Sequence, residues 1–266
     1  MPPRPPHPLV QEFLDAWVYP TGFSGPGVEF RLRMTERCLP VWNGATVRAL
    51  KAGEADQRSA GDEWKIQRAL AGYALEGPQM SIKQMATQLL SVSLDQQERF
   101  IDLQRMRARQ LWDEMKHGQL NADVLLRGRW VAREDDLMED VRANAQDNLA
   151  YFGLTSMFAH IHPLARAAQN YFVEGIACLT IAAALQVIED PLIRHQMRSQ
   201  QLEELMHFME GKYQLDALAL TSEDQRPIEE AFDFLLKPWA TSMSPAFGGR
   251  ARPEPGPAAD PPARAS

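Results

Sequence analysis

Two short segments of this 266-residue chain place a glutamate three residues before a histidine: Glu114-Met115-Lys116-His117 and Glu204-Leu205-Met206-His207. On an α-helix, residues three apart lie about 60° apart around the axis, so a carboxylate and an imidazole at that spacing can reach one metal ion. Either pair alone carries little, because the spacing also arises by chance on exposed helices. The partner glutamates change that. Glu76 and Glu114 stand equally far from a turn near residue 95, and Glu174 and Glu204 equally far from a turn near residue 189. In an antiparallel helical hairpin, residues equidistant from the turn share a height. Each hairpin therefore sets a lone carboxylate opposite a carboxylate–imidazole pair. Two such hairpins packed together bring four carboxylates and two imidazoles to one level of a core. Four buried carboxylates repel one another unless cations neutralise them, and two divalent ions bridged by carboxylates meet that need.

The elements that must position these residues are helices. Strand signals are scarce and apolar residues recur at helical spacing, which predicts an all-α chain. The first hairpin spans about Asp62 to Gly118 and breaks at Ser91-Val92-Ser93-Leu94-Asp95, where Ser93 and Gln96 form a capping box for the second arm. Gly77-Pro78 predicts a kink rather than an end, leaving Glu76 pointing inward. A charged linker follows over about Asn121 to Asp140, a helix resumes near Asp140, and His162-Pro163 marks another break. The second hairpin runs from Pro163 to about Tyr213, with Asp190 as N-cap and Pro191 at the first helical position. A last helix follows the Thr221 cap and ends near Pro238. Ahead of the hairpins, Val10 to Val18 reads as a short helix ended by Tyr19-Pro20-Thr21-Gly22, with two further helices up to about Leu50. The expected organisation is a Pro-rich segment over 1–8, one helical domain over 9–240 with its bundle core at 62–213, and a disordered Pro/Ala/Arg tail over 241–266.

Composition narrows the function. A net charge of −7 argues against a nucleic-acid partner, which needs a basic footprint. The longest apolar run, Gly175 to Leu185, falls short of the roughly 20 residues of a membrane span. No basic segment precedes an apolar stretch at the N-terminus, so no secretory signal is expected. Cys38 and Cys178 are isolated, which leaves no Cys-x-x-Cys pair. A cytoplasmic protein is the expectation.

These residues resemble the ferritin-like di-iron carboxylate superfamily, in which a Glu from each of two helices joins a Glu-x-x-His from each of the other two. The resemblance covers roughly Asp62 to Tyr213 and implies a four-helix bundle core with extra helices at both ends. It implies one iron held by Glu76, Glu114 and His117 and another by Glu174, Glu204 and His207, with Glu114 and Glu204 as bridges. The ions would be two irons or an iron–manganese pair. In di-iron oxygenases an acidic residue before the motif glutamate often hydrogen-bonds a ligand histidine, and here Asp113 and Glu203 stand in that position. Tyr73, Gln110, Tyr171, Cys178 and Gln200 are the candidates to line a substrate pocket, each at helical spacing from a ligand. Glu98 is on the helix of Glu114 but about 24 Å away along the axis, too far to share the site.

The implied activity is that of a di-iron oxygenase or oxidase using dioxygen to oxidise a small organic substrate by hydroxylation, desaturation, N-oxygenation or oxidative carbon–carbon cleavage. No flavin or iron–sulfur motif is present, so electrons are expected from a separate reductase, a ferredoxin or the substrate itself. Homodimerisation is left open. The alternatives are a ferroxidase or iron-storage protein, a radical protein like the small subunit of ribonucleotide reductase, and a helical adaptor without metal. Storage ferritins usually lack the second histidine. In the reductase subunit a radical tyrosine commonly lies four residues after the first ligand histidine, where this chain has Asn121. Arylamine N-oxygenases with this fold carry a histidine where this chain has Gln200.

Overall fold

The structure, a computed structural model, describes residues 5–58, 65, 69, 72–73, 94–128 and 162–240. All the regular elements among them are helical. A short helix α1 (Pro8–Phe13) runs into a π-helical turn (Leu14–Val18). The long helices are α2 (Pro26–Arg58), α3 (Leu94–Arg127), α4 (Ala165–Val187), α5 (Pro191–Leu218) and α6 (Ser222–Ala240).

Several boundaries depart from the sequence reading. The two helices expected before Leu50 are one helix, α2, which continues through Pro40. A proline in a helix interior loses one backbone bond. Here that loss is offset by a stripe of buried residues, Phe30, Met34, Cys38, Trp42 and Ala45, that runs past the proline without interruption. Helix α3 extends to Arg127, into the stretch read as linker, because Ala122, Val124 and Leu125 bury there. Helix α5 likewise extends to Leu218, with Gln214, Leu215 and Asp216 buried. The Asp190 and Thr221 caps agree with expectation, and the Ser93 capping box lies outside the described residues. Asp190 Oδ1 accepts from the Leu192 and Ile193 amides at 3.0 and 3.1 Å, and Thr221 and Asp224 cap each other at the start of α6. Glu76, the Gly77-Pro78 kink, most of the first hairpin's leading arm, the helix expected near Asp140 and the tail over 241–266 lie outside the described residues.

Helix α4 is the hub, packing on α2, α5 and α6, while α3 packs on α5. By length and composition α4 could cross a membrane, but 67% of its most apolar window is buried among the other helices. It is a core helix, and it carries Glu174 among its buried residues. Tight approaches set its neighbours. A Cβ on Gly211 would come within 2.5 Å of the Tyr171 amide nitrogen, so α4 and α5 nearly touch there. That contact centres the hairpin on its Asp190–Pro191 cap and brings His207 level with Glu174. Along α2, Trp42 stacks over Gly175 and joins Phe13, Tyr171 and Phe208 in an aromatic core. A second apolar cluster, around Tyr73, Leu125, Ile181, Ile193 and Met197, forms beyond the hairpin's midpoint.

Candidate metal centre

Helix α3 buries a stripe that no apolar core would select: Arg107, Gln110, Asp113, His117 and Asn121, at spacings of three and four. Buried polar groups persist only where partners satisfy them. The partners come from α4 and α5. Gln110 Nε2 donates to Glu174 Oε1 at 3.0 Å and to Glu114 Oε1 at 3.3 Å. Glu114, Glu174, Glu204 and His207 each present a ligand atom within 4.8 Å of one another. His117 joins them, its Nδ1 3.7 Å from Glu114 and 3.4 Å from Glu204. His207 Nδ1 lies 3.6 Å from Glu114 and 3.5 Å from Glu204. The two imidazoles, 6.1 Å apart between centroids, thus face the same two carboxylates from opposite sides.

The outer nitrogens are held by the acids that precede the motif glutamates, and the pairing crosses between hairpins. His117 Nε2 meets Glu203 at 2.8 Å, and His207 Nε2 meets Asp113 at 3.2 Å. Donation from Nε2 to a carboxylate fixes each ring and turns Nδ1 inward. Nδ1 of His207 is buried and meets no partner at hydrogen-bonding geometry, though two carboxylate oxygens stand just beyond. Donors that each lie about 2.1 Å from one ion, about 90–110° apart, are about 3.0–3.4 Å from each other. The imidazole–carboxylate separations of 3.4 to 3.7 Å exceed that by a few tenths of an ångström, and the donor set of carboxylates and imidazoles suits iron or manganese. The residues fit a metal centre.

Protonation in the metal-free cluster tells the same story. Burial, then the charges of Glu204 and Glu114, push the Glu174 carboxyl well above its ordinary range. Burial alone would lower the His207 imidazole, but the hydrogen bond to Asp113 and the charges of Glu114 and Glu204 outweigh it and raise its pKa well above the ordinary value. Glu114 is lowered, because the two histidines outweigh its burial. The hydrogen bond to His207 holds Asp113 below the carboxylate range.

The other sequence candidates divide. Cys178 is buried near the centre, and burial together with the charges of Glu204 and Glu174 raises its thiol well above the ordinary range. Tyr171 is buried, but its hydroxyl lies 2.6 Å from Thr35 Oγ1 in the aromatic core. Tyr73 packs in the second apolar cluster, and Gln200 accepts from Gln196 at 3.3 Å. Glu76 is not among the described residues. Sequence reasoning missed Arg107, Arg166 and Glu210. Burial lowers the Arg166 pKa although Glu174, Glu114 and Glu210 face it, and burial raises Glu210 to about 7. Their signal was helical spacing from the ligands: Arg166, Asn170 and Glu174 share a face of α4, as do His207 and Glu210 of α5. No family model, no curated protein and no solved structure matches the chain.

Proposed function

We propose that this chain is a ferritin-like, dioxygen-dependent di-iron oxidoreductase acting on a small organic molecule. Glu114, His117, Glu174, Glu204 and His207 would hold the metals, joined by Glu76 from the first arm of the bundle. Two irons, or an iron–manganese pair, would bind and reduce dioxygen there. The observation that carries this reading is the pair of crossed imidazoles, each tied outward to an acid and turned inward on shared carboxylates. An exposed Glu-x-x-His pair needs none of that, and a metal centre needs all of it.

The chain's own residues have three tasks. Asp113 and Glu203 orient the imidazoles and raise their basicity. Gln110 holds Glu114 and Glu174 at a fixed separation. The aromatic core of Trp42, Tyr171 and Phe208 keeps water from the α4–α5 side. A radical protein of the reductase kind is the weaker reading. Asn121, at the expected radical position, binds the His117 carbonyl through its amide at 3.0 Å, and Tyr171 is bonded to Thr35.

Metal analysis with a Mössbauer spectrum tests the proposal. Protein loaded with ferrous iron should hold close to two irons per chain, or one iron and one manganese, and consume dioxygen with turnover of an organic substrate. Glu174→Ala should lose most of that metal and keep its helical circular dichroism. Full metal content in the variant overturns the ligand assignment, and deposition of many irons as ferric mineral replaces the oxidase reading with storage.

A further inference from the structure

About two turns from the ligands, at the end of the bundle where α4 begins, two arginines are buried together. Arg107 lies seven residues before Glu114 on α3, and Arg166 eight residues before Glu174 on α4, each on its ligand's face. The two helices run in the same direction there: Gln110 reaches Glu174, while Arg107 Nη2 donates to the Pro163 carbonyl at 2.7 Å. Both guanidiniums therefore stand at one level, roughly 10 Å along the axes from the metal centre. Each is 3% exposed.

Their hydrogen bonds are incomplete. The Nε of Arg107 and the Nε of Arg166 are buried and meet no acceptor. Asn170, one turn from Arg166 toward Glu174 and 1% exposed, has neither amide atom satisfied. An unpaired buried donor costs about 1–3 kcal/mol, and a buried guanidinium more. The two Nε atoms and Asn170 Nδ2 want acceptors, while Asn170 Oδ1 and Glu210 Oε2 are acceptors that meet no donor. Charge favours an added acceptor. Arg166 faces Glu174, Glu114 and Glu210. Metal ions would consume the charge of the first two. Glu210 alone of those three would then remain for two guanidiniums that already repel each other; burial and then Arg166 pull Arg107 down to about 9. One further negative charge balances the group.

We infer that Arg107 and Arg166, with Asn170, form the anchor for a carboxylate on the substrate. The inference rests on the oxidase reading for the word substrate. Guanidinium forks match a planar carboxylate in two-point geometry, which suits this class over a neutral polar group. The depth of the anchor sets the reach. The bound molecule extends about 10 Å from its carboxylate to the atom that is oxidised beside Glu114 and Glu174.

Calorimetric titration of the full chain, both metal-free and loaded with ferrous iron without oxygen, tests this. The probes are octanoate and 3-phenylpropanoate against their neutral amides, octanamide and 3-phenylpropanamide. At least one carboxylate should bind tenfold or more tightly than its amide. Arg107→Gln should remove that preference at unchanged iron content, while Arg105→Gln, on the exposed face of α3, should keep it. Equal binding of acid and amide by the native chain, binding of none of the four, or a preference that survives Arg107→Gln overturns the anchor. The native comparison decides the matter even where the Arg107 variant does not fold. Iron content is read separately. Two irons without a carboxylate preference defeats the anchor alone, and a preference without iron defeats the metal reading alone.

Discussion

Glu174 shows how one residue ties the charge of the site to pH. Its carboxyl is raised by burial and by Glu204 and Glu114, and His207 is raised by Asp113 and Glu204 against its burial, so both hold their protons to higher pH than in the unfolded chain. A group whose folded pKa lies above its unfolded value stabilises the fold below the unfolded value and loses that contribution as pH rises through the folded one. Glu174 and His207 therefore make the metal-free chain less stable as pH climbs from their unfolded values through their raised folded ones. Glu114, lowered instead, contributes above its unfolded value and loses that only in acid. Metal must displace the protons of Glu174 and His207 to bind. Apparent metal affinity should rise with pH, with protons released on loading and the melting-temperature gap between loaded and metal-free protein widening. A titration with ferrous iron at several pH values checks this, and an affinity independent of pH would count against metal at Glu174.

At the scale of elements, the site depends on how closely α4 approaches α5. A Cβ on Gly211 would meet the Tyr171 nitrogen at 2.5 Å and the Asn170 carbonyl carbon at 2.8 Å. Both are backbone, so neither can turn aside. Gly211→Ala should force the helices apart, cost about 1–3 kcal/mol and lower metal affinity, although residue 211 touches no ligand. Denaturant unfolding and metal titration of the variant read both effects, and unchanged values in both would mean that the contact sets nothing. The same element shows what was legible in the sequence. The Glu-x-x-His spacing and the Asp190-Pro191 cap are local patterns, so the α4–α5 hairpin and its three candidate ligands, Glu174, Glu204 and His207, could be read directly. The crossed bonds, His117 to Glu203 and His207 to Asp113, arise only when α3 faces α5. Arg166 reads as an ordinary charge near a helix start until tertiary packing buries it.

Over the whole molecule, α2 and the turns before it hold the helices together without touching the candidate metal ligands. Asp216 near the end of α5 is buried and receives the Arg31 guanidinium from α2, Lys212 at 3.0 Å and the Thr21 hydroxyl at 2.9 Å from the loop before α2. Arg31 in turn donates to the Val18 carbonyl at 2.8 Å, closing the π-helical turn onto the same group. One carboxylate thereby joins the end of α5 to the N-terminal stretch that carries Val18, Thr21 and Arg31, far earlier in sequence. Removing one partner of a buried ion pair is more damaging than replacing both, because it leaves a charge without a counterion. Asp216→Ala should cost about 3–5 kcal/mol, whereas Asp216→Leu combined with Arg31→Met and Lys212→Met, which removes both cations with their counterion, should recover much of that loss. His207 lies more than two turns up α5 from Asp216, and neither variant alters a ligand. Iron per folded chain and the spectrum of the loaded protein should therefore match those of the native chain, with only the unfolding midpoint moved. Loss of iron at temperatures where Asp216→Ala is still folded would show that this clasp also sets the spacing of the ligand helices.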